Sequence, residues 1–111
     1  MKLERDCITV SQLESSMEWD GDIIYFILSP LTKKVKIGKS SNTSFIKRFQ
    51  SIQTACPDQL IVLGIMPGGL EEESRIQDNF IEMYYRGEWY NYTKEIRKYV
   101  KDKTTMLVIR E

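Results

Sequence analysis

Residues 23–39 read Ile23-Ile24-Tyr25-Phe26-Ile27-Leu28-Ser29-Pro30-Leu31-Thr32-Lys33-Lys34-Val35-Lys36-Ile37-Gly38-Lys39, and this stretch decides the fold. Its first six residues form a nearly continuous apolar run, short and rich in β-branched isoleucine, which reads as a buried strand. Ser29 to Lys34 carries turn chemistry, and Val35 to Lys39 then alternates as a second strand, so the pair predicts an antiparallel hairpin. On that second strand Val35 and Ile37 share one face and Lys36 takes the other.

Upstream, Asp20-Gly21-Asp22 is a turn, preceded by a short helix in which Ser11 and Glu14 form a capping box and Val10, Leu13 and Met17 share a face. Downstream, Ser40 to Asn42 offers helix-start signals, and Phe45, Phe49 and Ile52 recur at helical spacing up to about Ala55. Pro57 ends that helix, and Leu60 to Met66 reads as a third strand, closed by Pro67-Gly68-Gly69. A long helix is expected from about Leu70 to Tyr85, with three glutamates in its first turn, where the helix dipole favours them. Gly87 stops it. Thr93 caps a short helix through Ile96, Tyr99 and Val100, and Thr104 to Ile109 has strand composition without a readable partner. The order α-β-β-α-β-α-α-β predicts an α+β domain. Residues 1–21 form an acidic helical extension, 22–100 the main domain, and 101–111 a C-terminal strand or tail.

The chain has 111 residues, 41% hydrophobic and 29% charged, ordinary for one globular domain. It contains no histidine, which excludes Ser-His and Cys-His nucleophile pairs and His-based metal sites. Cys7 and Cys56 are too few for a zinc site or a disulfide framework, so a reducing, cytoplasmic setting is expected. No apolar run approaches the roughly 20 residues of a membrane span, and the N-terminus has no signal-peptide core.

Formal net charge is zero, yet its distribution is uneven. Residues 23–57 carry Lys33, Lys34, Lys36, Lys39, Lys47 and Arg48 and no acid at all. Such a stretch is a candidate phosphate-facing surface, with a solvated loop and helix face as the plainer alternative.

Helical angles single out two charged residues. At about 100° per residue, Leu70, Ile76, Phe80 and Tyr84 fall on the side of the long helix that faces the core, and Glu73 alone of the three glutamates sits within that stripe. A carboxylate there costs several kcal/mol unless it is paired, metal-bound or at the mouth of a cleft. On the preceding helix Arg48 flanks the stripe of Phe45, Phe49 and Ile52, where its stem can lie on apolar surface and its fork can meet phosphate or carboxylate. Spacing leaves open whether Arg48 serves a ligand or pairs with Glu73. Gly38-Lys39-Ser40 is not a phosphate-binding loop, because the required earlier glycine position holds Lys33.

In chain order, Ile24-Tyr25-Phe26-Ile27, Val35-Lys36-Ile37-Gly38-Lys39-Ser40, Arg48 followed by Gln53-Thr54 and Pro57, Glu73, and Gly87-Glu88-Trp89-Tyr90 resemble the GIY-YIG endonuclease superfamily, in its small branch common in phages and bacteria. The similarity covers about residues 22–100. It implies a three-stranded antiparallel sheet flanked by helices that hydrolyses nucleic-acid phosphodiesters, DNA first among them, with one divalent cation, Mg²⁺ or Mn²⁺. By the resemblance, Tyr25 contacts or activates the attacking water, Lys36 holds the second-motif position often taken by tyrosine, Arg48 contacts the scissile phosphate and Glu73 binds the metal. Gly38, Lys39, Ser40 and Gln77 are the substrate-binding candidates. The chain departs from the pattern where Ile23 or Ile24 replaces the first-motif glycine, where Gln77 stands in place of a common histidine, and where only Asn91 offers a match to a late asparagine. Without an added DNA-binding domain, sequence specificity would need a homodimer or a protein partner, or would be poor. The alternative to a nuclease is a module on the same scaffold that binds nucleic acid or a protein partner without cutting, as in phage–host interference. A third is a domain whose Glu73 and Arg48 pair is structural.

Overall fold

The computed structural model describes Cys7–Ile8 and residues 21–109. The helix expected around Ser11 to Met17 lies outside the described residues. The structure is α+β: strands β1 (Cys7–Ile8), β2 (Asp22–Ser29), β3 (Lys34–Ser41), β4 (Ile61–Pro67), β5 (Tyr84–Arg86), β6 (Trp89–Asn91) and β7 (Thr105–Ile109), with helices α1 (Phe45–Thr54), α2 (Leu70–Asn79) and α3 (Lys94–Lys103).

The expected hairpin is the centre of the molecule. β2 pairs with β3 along its whole length, from Asp22 opposite Ser41 to Ser29 opposite Lys34, and with β4 on its other side, both antiparallel. The turn is closed by Lys33, whose N–H donates to the Ser29 carbonyl at 2.8 Å and whose φ is +56°. The sheet is larger than the three strands expected, with seven in the order β1-β7-β4-β2-β3-β6-β5. β7 pairs antiparallel with β4 and parallel with β1, pairings that join segments far apart in sequence and so leave no local pattern to read.

Each face of the sheet has its own core. Ile23, Tyr25, Ile27, Val62 and Ile65 pack with Phe45 and Phe49 of α1. Ile24, Phe26, Val35 and Ile37 pack with Ile76 and Phe80 of the α2 segment and with Ile96 and Val100 of α3. The helices are set by local chemistry. Thr93 Oγ1 accepts from the Ile96 N–H, capping α3 as expected. Gln53, at the end of α1, accepts from the Leu60 N–H and donates to the Asp58 carbonyl, fixing the path from helix to β4.

The long helix is shorter than its periodicity predicts. It ends at Asn79, a 3-10 turn covers Ile81–Met83, and Tyr84 enters β5. Tyr84-Tyr85-Arg86 and Trp89-Tyr90-Asn91 are aromatic-rich, pair antiparallel across Gly87 (φ +58°) and extend the β3 edge; pairing and aromatic packing override the helical spacing. Two details of the stripe change with it. Leu70 begins α2 and is 67% exposed, and Tyr84 packs edge-on against Tyr90 at 5.5 Å. Trp89 packs against the α1-side core.

Candidate active site

β6 covers β3 only from Lys34 to Lys36. The next bond on that edge runs from the Ile37 N–H to the Glu88 carbonyl at 3.0 Å. Beyond it, residues 38–41 of β3 have no strand partner on that side among the described residues. An open edge must be covered or it invites pairing with another chain. Here α2 covers it with side chains one turn apart. Gln77 Nε2 donates to the Ile37 carbonyl at 3.0 Å, and the Glu73 carboxylate accepts from the Lys39 N–H. Residues 37 and 39 aim their backbone groups to the same side of a strand, so Glu73 and Gln77 stand in for the missing strand.

Tyr25 reaches the same edge from the other face. It lies opposite Gly38 in register, and its ring crosses the glycine: a Cβ added to Gly38 would sit 2.6 Å from Tyr25 Cζ. The ring is buried, packed at 5.4 Å from Phe45. Burial, the charges of Glu88 and Glu73, and against them the Arg48 guanidinium, leave the phenol pushed up to about 12. It is therefore a protonated hydrogen-bond donor at neutral pH.

Glu73 is 9% exposed, where the stripe placed it. Its acidity is lowered chiefly by burial and then by the negative charge of Glu88, while Lys39 and Lys36 act in the opposite sense. Lys36 pairs with Glu88 at 3.1 Å and its ammonium lies over the Trp89 ring at 5.7 Å. Lys39 pairs with Asp22 at 3.3 Å. Arg48 is exposed on α1 and makes no ion pair with Glu73 or with any other described residue. Ser40 is buried and donates to the Ser41 carbonyl.

The site therefore gathers Tyr25, Gly38 and Lys36 from the hairpin, Arg48 from the helix on one face, and Glu73 with Gln77 from the helix on the other. Ser40 is turned into its own strand end, and Gln77 spends its amide on β3. Glu88 is the residue that reading the sequence did not assign. It follows Gly87 in a hairpin hidden by helical spacing, and the Gly87-Glu88-Trp89-Tyr90 segment of the resemblance marked its place without giving it a role.

Among the described residues, no cluster of three or more His, Cys, Asp or Glu forms a closed metal cage. Glu73 and Glu88 are hard oxygen donors whose mutual repulsion a cation would relieve, and Mg²⁺ ordinarily takes one or two carboxylates, completing its shell with water and substrate phosphate. The donor set fits that open kind of site. Comparisons with protein-family models, with curated proteins and with solved structures yield no match.

Proposed function

We propose that this chain is a divalent-cation-dependent phosphodiester hydrolase of the GIY-YIG type, acting on DNA. What carries the reading is one observation: at the β3 edge that α2 covers, the buried Tyr25 phenol lies over Gly38 and feels both the Arg48 guanidinium and the Glu73 carboxylate, three groups drawn from three separate elements. Phosphoryl transfer asks for positive charge around the pentavalent phosphate and for fixed donors. Arg48 offers the charge and makes no ion pair among the described residues. Tyr25, held protonated, donates its hydroxyl hydrogen to the attacking water or a phosphate oxygen, orienting it rather than taking its proton. Glu73, with Glu88 beside it, would hold Mg²⁺ or Mn²⁺. The bound ion would supply further positive charge and lower the pKa of a coordinated water, which a chain without histidine needs. Gly38 leaves the room in which the Tyr25 ring lies against β3.

A second reading is favoured by the Gln77 and Glu73 bonds to β3. Both side chains have a structural duty, so the scaffold could bind nucleic acid or a protein partner without cutting. One assay separates the two: supercoiled plasmid with Mg²⁺ or Mn²⁺, using the native chain and Glu73→Ala. Metal-dependent nicking lost in the variant is the expected result. Salt-sensitive DNA binding with no nicking by either protein would select the binding module, and equal nicking by both would remove Glu73 from the site.

A further inference from the structure

The face of the sheet that carries Lys36 holds a second feature beside the candidate site. Between the β2–β3 turn, the loop before β4 and the β5–β6 hairpin lies a cleft of about 290 Å³, lined by Ser29, Thr32, Lys34, Asp58, Tyr85 and Trp89, with Cys56 at its wall. Its rings are paired with cations in two successive rungs. The Lys34 ammonium lies 4.7 Å from the Tyr85 ring centre, and the Lys36 ammonium 5.7 Å from that of Trp89. Lys34 and Lys36 are two residues apart on β3 and so share a face. Tyr85 is 58% exposed, a large apolar ring left in water by a fold that buries Tyr25 and Tyr90.

We propose that this cleft stacks an unpaired base of a single DNA strand, so that the preferred substrate carries a single-stranded segment next to the scissile phosphate. The proposal deepens the nuclease reading and rests on it for the position of that phosphate. Aromatic rings interleaved with lysines are how single strands are gripped: the ring takes the base and the ammonium the phosphate. Asp58, Ser29 and Thr32 put polar atoms at the cleft wall for the edge of the base. In a duplex the bases are already stacked and cannot enter, whereas an unpaired base can be splayed onto the ring. The rung of Lys36 and Trp89 leads through the Lys36–Glu88 pair to Tyr25 and Glu73, giving one continuous path from cleft to site.

The test is fluorescence anisotropy without divalent cation, using a labelled mixed-sequence DNA strand of about 15 nucleotides, close to an ordinary single-strand site size. The same length as duplex, as RNA and as a largely abasic strand completes the set. Tyr85→Ala is expected to weaken binding of the DNA strand about 5- to 100-fold, with Tyr85→Phe restoring it. The abasic strand should bind weakly to the native chain and be insensitive to the substitution. Unchanged binding of the DNA strand by Tyr85→Ala, or equal binding of the abasic strand, would overturn the proposal. A Tyr85-dependent loss confined to RNA would overturn the choice of DNA. Plasmid nicking that requires Glu73 but is accompanied by Tyr85-independent binding would sink this inference alone. Neither binding nor nicking would sink both.

Discussion

Tyr25 and Gly38 act as one unit across two strands, because the phenol occupies the space that a side chain at 38 would need. Gly38→Ala should therefore displace the ring, costing about 1–3 kcal/mol of stability in urea unfolding together with most of the nicking activity. The two glutamates form a second unit. With no cation bound, burial and then the charge of Glu88 hold the Glu73 carboxyl above its ordinary value. Glu88→Gln should lower it in a carboxylate titration followed by NMR in EDTA, and burial, the larger cause, keeps it above the ordinary position. In metal-free native protein Glu73 holds its proton more tightly than in the unfolded chain, so its contribution to stability falls as pH rises from 4.5 through the raised value. Glu73→Gln escapes that loss and should melt no lower than the native chain at pH 7 in EDTA, while losing about 100-fold or more in nicking rate. A markedly lower melting temperature would instead mark Glu73 as a structural residue. Helical angle alone exposed Glu73 and Arg48, because a charge on an apolar stripe is a local conflict. Glu88 sits on a short loop with no periodic pattern to violate.

Elements were legible in proportion to how local their causes are. β2, β3, β4 and α1 follow from runs, alternation and the Pro57 stop, and the Thr93 cap announces α3. The end of α2 does not follow, since Phe80 and Tyr84 continue a helical spacing while the chain turns at Phe80 (φ −109°, ψ 23°). What decides the matter is nonlocal: β6 pairs with β3, and only tertiary contact rewards that pairing. Gly87 is the hinge of this hairpin, with φ +58° and open space around its Cα. Gly87→Ala meets no clash, so its cost is conformational, about 1 kcal/mol by thermal or chemical unfolding. Because Glu88 is the next residue and its carbonyl anchors Ile37, the same variant should slow nicking by more than that loss of stability explains. An unchanged rate would show that the hairpin merely covers the edge.

Across the whole molecule, zero net charge hides a division of labour. The hairpin and α1 hold the acid-free cations, but the fold neutralises two of them, Lys36 by Glu88 and Lys39 by Asp22. Among the described residues Lys33, Lys34, Lys47 and Arg48 make no ion pair, so they are the cations left to meet phosphate. This could not be read from composition, because the acids doing the neutralising come from Asp22, just before the basic stretch, and from Glu88, 40 residues beyond Arg48 in sequence. Each cation that neutralises a phosphate releases condensed counterions, and the number released appears as the salt dependence of binding. Four free cations set a slope of log Kobs against log salt of about −3 on a single strand. Anisotropy titrations between about 50 and 200 mM salt measure it. Arg48→Ala and Lys34→Ala should each reduce the slope by about 0.7 if the strand runs from the Tyr85 cleft to the β3 edge. A slope near zero would mean that the basic face is only solvated surface. A slope near −4 would mean that Lys36 and Lys39 release their carboxylates when DNA arrives, freeing Glu88 beside Glu73 as the phosphate is bound.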